Sequence, residues 1–271
     1  MSSWKDHQKR LITGVVGLII ILFIIGYASK PIFFLFILFL NFLVLKEYYD
    51  LSSCKFDSRF LGITLGLILT SVFFTLDKSA LIGTMAGIIF FLGLFSILKF
   101  HGSGSTETDL EKHLVGIFMI AFLLSHLIWL RDLNEGKLWI FFLLSVVFTG
   151  DTFALYGGKF WGYHKLSPKI SPGKTIEGTI SGLVGSCLGG ILFASFFFPH
   201  LSKIVLMPLS IILGIFGQIG DLWESVLKRK AMVKDSGWLL PGHGGFLDRM
   251  DSILFTAPFL YYFILLKQGS L

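Results

Sequence analysis

The chain has 271 residues, 54% of them hydrophobic and only 15% charged, with 30 phenylalanines and a formal net charge of +6. At a mean hydropathy of +0.78, a water-soluble domain of this length cannot hide so much apolar surface, so a soluble globular fold is excluded and the solvent is lipid. A positive charge that would suggest nucleic acid in a soluble protein is explained here by the loops of a membrane protein, and no nucleic-acid partner is expected.

In chain order, residues 1–10 (MSSWKDHQKR) read as an interfacial lead-in with Trp4 as anchor. The first hydrophobic run lacks a small-residue cleavage site and is read as a retained span. Runs of about 20 apolar residues cross a bilayer, and slightly shorter ones are tolerated. Nine candidates follow, at roughly 11–28, 31–45, 60–76, 79–98, 114–130, 138–156, 176–198, 204–222 and 252–266. The fold class expected is therefore an all-α integral membrane protein, a polytopic bundle of about nine transmembrane helices.

Of the 23 Lys and Arg residues, 17 fall in the segments that are inside when the N-terminus is inside, and six fall in the others. That bias predicts an N-in, C-out chain with an odd number of spans. It also puts the two richest polar loops, 157–175 and 223–251, on the cytoplasmic side. The remaining inner loop, His101–Asp109 (HGSGSTETD), reads as a flexible linker. Small residues recur at four-residue spacing in Gly62 and Gly66, Gly83 and Gly87, Gly178 and Gly182, and Gly185 and Gly189, a pattern that favours close helix contact in lipid. Cys54 and Cys187 are far apart and fit neither a metal cluster nor a disulfide framework.

Asp151 falls inside the sixth span, where a charged, unpaired acid costs about 2.5–3.5 kcal/mol on insertion scales. It implies either an interhelical polar contact or a cavity open to the cytoplasm. Further on stands Ser171-Pro172-Gly173-Lys174-Thr175-Ile176-Glu177-Gly178. A P-loop requires glycine five residues before Gly173, where Pro168 stands, and a preceding strand, which the sequence does not suggest. What remains is a lysine, a hydroxyl and free N–H groups at a helix start, which suit a phosphate anion. A plain helix N-cap is the competing reading.

The stretch Ser225–Asp251 packs Lys228, Arg229, Lys230, Lys234 and Arg249 with Asp235, Asp248 and Asp251 around a Pro-Gly-His-Gly-Gly turn. Just upstream, Asp221 and Glu224 close the eighth span. If 221–228 is helical, Asp221, Glu224, Ser225 and Lys228 share one face. Asp248 and Asp251 repeat the three-residue offset. Two acidic pairs separated by a basic, glycine-rich loop can hold divalent metal and polyphosphate together. A solvated loop kept positive by topology alone is the plainer alternative. Gly214, Gly217 and Gly220 step toward Asp221 and suggest a lateral opening between the last two spans for a lipid chain, or ordinary packing.

Together these loops resemble the phosphatidate cytidylyltransferases, or CDP-diacylglycerol synthases. The resemblance rests on Ser225-x-Leu227-Lys228-Arg229, Lys234-Asp235-x-Gly237 and Leu240-Pro241-x-His243-Gly244-Gly245-Phe246-x-Asp248-Arg249-Met250-Asp251, with the Asp151 and Ser-Pro-Gly-Lys-Thr-x-Glu-Gly segments in support. It implies a Mg²⁺-dependent homodimeric enzyme of the cytoplasmic (inner cell) membrane, with a second cation as an option, that joins CTP to phosphatidic acid within membrane lipid. Residues 1–113 then form an N-terminal group of about four spans, and 114–271 a catalytic transmembrane region carrying the loops 157–175 and 223–251. Asp221, Glu224, Asp248 and Asp251 are the expected metal ligands. Lys228, Arg229, His243 and Arg249 join Asp221, Asp248 and Asp251 as expected catalytic groups. Asp151, Ser171, Lys174, Thr175, Glu177, Ser225, Lys234, Asp235, Gly244 and Gly245 are expected at the substrates. A CTP-dependent lipid kinase and an ion-coupled transporter are the alternatives.

The topology has a direct test. Cysteines introduced one at a time at Lys165 and Lys230, in a background lacking Cys54 and Cys187, should react with an impermeant reagent only from the cytoplasmic side. Opposite labelling of the two positions would overturn the nine-span arrangement.

Overall fold

The computed structural model describes residues 14, 16–17, 19–54, 56–75, 77–98, 105–239 and 244–268. The lead-in 1–10 and much of the first expected span lie outside them. The described chain is almost wholly helical. Helical turns over 19–27 (α1) precede α2 (Lys30–Leu51), α3 (Phe56–Thr75), α4 (Lys78–Leu98) and α5 (Ser105–Leu114). A π-helical stretch, Val115–Phe122, joins α5 to α6 (Leu123–Asp132). After α7 (Gly136–Trp161) come two short strands, β1 (Lys165–Ser167) and β2 (Ser171–Thr175), then α8 (Ile176–Phe197), α9 (Lys203–Lys230) and α10 (Leu247–Gln268). Among the described residues eight helical segments are long and apolar enough to span a bilayer, matching the second to ninth expected spans. The protein is a multi-pass membrane protein.

Four local expectations change. The linker expected over 101–109 gives way at Ser105, where α5 begins. Residues 157–175 are not a plain loop: α7 runs on to Trp161, and β1 and β2 pair antiparallel, with Lys165 opposite Thr175 and Ser167 opposite Ser171. The strand that seemed absent before α8 is thus the Ser-Pro-Gly-Lys-Thr segment itself. Residues 223–230 and 247–251 are helical, so the second polar loop shrinks to 231–246, and Asp221, Glu224, Ser225 and Lys228 do share one helix. The second span does not stop at Leu45, since α2 continues through Leu51 and buries Glu47, Tyr48 and Tyr49.

The chain divides into two compact units, Met1–Trp129 with Ala231–Asp248, and Leu130–Lys230 with Arg249–Leu271. In the first, α2 and α3 pack on each other and on the π-helical stretch. Lipid offers no hydrophobic drive between helices, so polar contacts and small residues set the seams. Asn41 Nδ2 donates to Thr70 Oγ1 at 3.0 Å and Ser125 Oγ at 3.2 Å, linking α2, α3 and α6. His113 bridges Tyr49 and Ser58, with ring nitrogens 3.2 and 3.0 Å from the two hydroxyl oxygens.

In the second unit α7, α8 and α9 pack closely. The glycines explain how close. A Cβ on Gly185 would lie 2.5 Å from Phe153 Cβ and 2.8 Å from the Thr149 carbonyl, and one on Gly182 would lie 2.8 Å from Gln218. Gly189 is pressed in the same way against the Thr149 side chain. Gly62 and Gly66 do the same in the first unit, against Tyr49 and Leu45. Gly83 and Gly87 differ: among the described residues, nothing beyond their own helix backbone comes within 4 Å of either added Cβ. Gly185→Ala should therefore destabilise the protein by about 1–3 kcal/mol through overpacking, whereas Gly87→Ala should not lower the midpoint of thermal inactivation in detergent. Equal behaviour of the two would contradict this division.

Candidate active site

The site in the second unit starts from β2. Its Pro and Gly disfavour helix, and Thr175 ends the strand in an extended conformation from which its Oγ1 caps α8, accepting from Gly178 N–H at 3.0 Å. The N-cap reading of Thr175 is thus realised. Glu177, the second residue of α8, accepts from the N–H groups of Tyr163 and His164 at 3.2 Å and meets His164 Nδ1 at 2.6 Å. It ties down the chain leaving α7. Arg229 Nε donates to the Ile170 carbonyl at 3.0 Å, bracing the connection between the strands from the end of α9.

Held this way, Lys174 places its Nζ 2.7 Å from Asp221 Oδ2. Both line a cavity of about 520 Å³ whose wall includes Asp151 of α7, Ser171 of β2 and Thr179 of α8. Asp151 thus stands in the wall of a cavity, the second of its two alternatives.

Asp221 also belongs to a second grouping. Oxygens of Asp221, Glu224 and Asp251 all lie within 4.8 Å of one another. Glu224 is fully buried and paired with Lys228 Nζ at 2.5 Å. The convergence depends on Gly220, where an added Cβ would strike the Asp251 carbonyl, so α9 and α10 meet backbone to backbone one residue before Asp221. Two carboxylates about 5 Å apart repel by roughly 3 kcal/mol at an effective dielectric of 20. Three acids against Lys174 and Lys228 leave one net negative charge. Hard oxygen donors in this number suit a divalent cation such as Mg²⁺. Of the glycines on this face of α9, Gly217 leaves room for an added Cβ at ordinary contact with Ser252 and Thr256 of α10, and the other two are packed more tightly. Gly214 packs on Ser186, with an added Cβ 2.7 Å from its Oγ, and Gly220 packs on Asp251, while the cavity is bounded by α7, α8, α9 and the strands.

Asp248 has a different setting, in the first unit. Its Oδ2 accepts from Ser236 N–H at 2.9 Å, Ser236 Oγ at 2.9 Å and Gly245 N–H at 2.8 Å. Gly244 turns the chain with φ +79°, a region open to glycine, and an added Cβ there would lie 2.6 Å from Asp248 Oδ2. Lys234 and Asp235 are exposed in the same segment, and His243 lies outside the described residues. Arg249 is exposed at the start of α10, and Ser225 is buried on α9. Lys174, Asp151, Ser171, Asp221, Glu224, Lys228 and Asp251 are thus gathered in the second unit, and Asp248, Gly244 and Gly245 around Ser236 in the first.

Two residues escaped the sequence reading. Ser236 was the unspecified position of Lys234-Asp235-x-Gly237. Glu47 was assigned to a loop, yet it is buried at the end of α2, where its carboxylate accepts from Phe246 N–H at 3.0 Å, Leu247 N–H at 2.9 Å and Ser236 Oγ at 3.2 Å. The available signal was an acid followed by Tyr48 and Tyr49 at the close of an apolar run.

Comparison with known proteins bears on this arrangement. The cytidylyltransferase family matches residues 8–267. A phosphatidate cytidylyltransferase of Bacillus subtilis is 34% identical over 272 residues, covering 96% of this chain and 98% of the relative. One from Rickettsia typhi is 35% identical over 230 residues, covering 80% of this chain and 96% of the relative. A protein of Escherichia coli K12, named only as uncharacterized protein YnbB, is 36% identical over 231 residues, covering 83% of this chain and 76% of its own length.

Asp248→Ala should leave the Ser236 and Gly245 N–H groups without their acceptor, at a cost of about 1–3 kcal/mol. Hydrogen exchange at those two amides should accelerate, and added Mg²⁺ should not restore their protection. Unchanged exchange would mean that the clamp does not hold the segment.

Proposed function

Because the chain belongs to the cytidylyltransferase family, we propose that it transfers CMP from CTP to phosphatidic acid, releasing CDP-diacylglycerol and pyrophosphate at the cytoplasmic face of the bacterial cell membrane. The observation that carries this reading is Asp221, shared between a lysine-bearing cavity on one side and a three-carboxylate group on the other. One pocket then offers cations for phosphate oxygens and, beside them, acids for a metal.

The chemistry asks little covalent work of the protein. A phosphate oxygen of the lipid, already ionised at neutral pH, forms a bond to the α-phosphorus of CTP. The bond from that phosphorus to the bridging oxygen of the β-phosphate breaks, and the electron pair leaves with pyrophosphate. Both reactants are anions, so catalysis rests on alignment and charge neutralisation. Lys174, carried on β2 and exchanging Asp221 for a phosphate oxygen, aligns one reactant. Lys228, one turn beyond Glu224, supplies a second positive charge. Ser171, in the cavity wall, offers a hydroxyl donor. Asp221, Glu224 and Asp251 would hold Mg²⁺, which when bound contributes positive charge against the departing pyrophosphate. A second cation and a homodimeric assembly complete the proposal.

Labelled CTP tests it with the purified protein in detergent and phosphatidic acid. Label at the α-phosphate should enter the lipid fraction and label at the γ-phosphate should not, and a chelator should abolish the transfer until Mg²⁺ is restored. Label from the γ-phosphate would make the protein a lipid kinase, and label from neither would favour the transporter.

A further inference from the structure

Glu47 is an acid in a membrane-spanning helix, 3% exposed, and its described hydrogen bonds all go to one short piece of chain, the segment between α9 and α10. Its two oxygens cap the first turn of α10 through Phe246 and Leu247, where a negative charge also suits the helix dipole. Its third partner, Ser236 Oγ, is itself 2.9 Å from Asp248 Oδ2. Glu47, Ser236 and Asp248 thus form one chain of contacts.

The neighbouring glycines carry the imprint of the same carboxylate. A Cβ on Gly237 would meet Glu47 first, at 2.6 Å from Oε1, 2.8 Å from Cδ and 3.2 Å from Cγ. A Cβ on Gly245 would collide with Glu47 Oε2 and Ser236 Oγ. Neither glycine has the positive φ that would require the residue for backbone reasons; among the described residues of the segment, the positive-φ glycine is Gly244. Gly237 and Gly245 are small because an acid from a distant helix occupies the space beside them.

We propose that Glu47 is a positioning residue for the transfer reaction: by capping the start of α10, the helix that carries Asp251 one turn further on, it fixes where that carboxylate stands without touching either substrate. This rests on the function proposed above. A carboxylate accepts at both oxygens, whereas the amide of Glu47→Gln turns a donor toward groups that already donate. The side-chain volume is kept and the hydrogen-bond pattern is lost.

The test combines kinetics with a double-mutant cycle. Glu47→Gln should lower kcat by about tenfold or more while KM for CTP and phosphatidic acid stays within about threefold, the pattern of lost transition-state organisation. Gly237→Ala, which leaves Glu47 in place, should lower kcat similarly in the native background. In a Glu47→Ala background it should change kcat by less than about twofold, because the group it collides with is gone. A smaller fall in kcat for Glu47→Gln, or equal losses from Gly237→Ala in both backgrounds, would overturn the proposal. The same cycle read by thermal inactivation needs no substrate. An inactive parent protein would therefore refute the proposed reaction, while additive thermal shifts would refute the role of Glu47.

Discussion

Mutual repulsion of carboxylates gathered at the ends of apolar helices is the constraint around which the second unit is arranged. Asp221, Glu224 and Asp251 come within 4.8 Å only because Gly220 lets α9 touch the backbone of α10. Apolar packing gives no reason to crowd three acids, and each pair repels by a few kcal/mol. The answer built into the chain is two lysines from different directions, Lys228 from the next turn of the same helix and Lys174 from a strand 47 positions before Asp221 in sequence. The strand in turn needs its own fixtures, which Thr175, Glu177 and Arg229 supply.

The acids of this protein sort into two chemical kinds. Glu47, Glu177 and Asp248 each collect backbone N–H groups and so hold chain. Asp221, Glu224 and Asp251 face one another and lysines. The first kind makes a scaffold, while the second keeps an electrostatic demand that a metal or phosphate chemistry can meet. A carboxylate saturated by amide donors offers an anionic ligand or cation far less than one surrounded by its own kind.

This sorting marks the limit of what the primary structure discloses. Spans were legible because a bilayer demands long apolar runs, but their polar ends were not: α2 runs past the expected end at Leu45 to Leu51, and α9 past Leu222 to Lys230. The shared face of Asp221, Glu224, Ser225 and Lys228 followed from helical periodicity alone. Asp248 and Asp251 look equivalent by spacing, yet one is clamped by Ser236 and Gly245 and the other joins Asp221, a distinction made by tertiary neighbours. β1 and β2 were illegible because three- and five-residue strands with Pro and Gly carry no periodic signal. Glu47 was missed for the opposite reason: a charge normally ends a span, and here the helix continues and buries it. The glycines of α9 were open to two readings, and at Gly220 the close backbone contact with Asp251 is one of packing.

The length of α9 has a consequence for the membrane itself. Its 28 residues extend about 42 Å, against a hydrocarbon core of about 30 Å. The surplus is the polar end that carries Glu224 and Lys228, so the reactive groups ride on a rod whose apolar portion is seated by the bilayer. Thickening or thinning the bilayer by a few ångströms forces such a rod to tilt or slide. Because α9 is fixed to α10 at Gly220, the acids would shift together with respect to the lipid phosphates while their own spacing stayed constant. The depth at which these groups meet the lipid headgroups is thus set by the bilayer, while their spacing from one another is set by the protein.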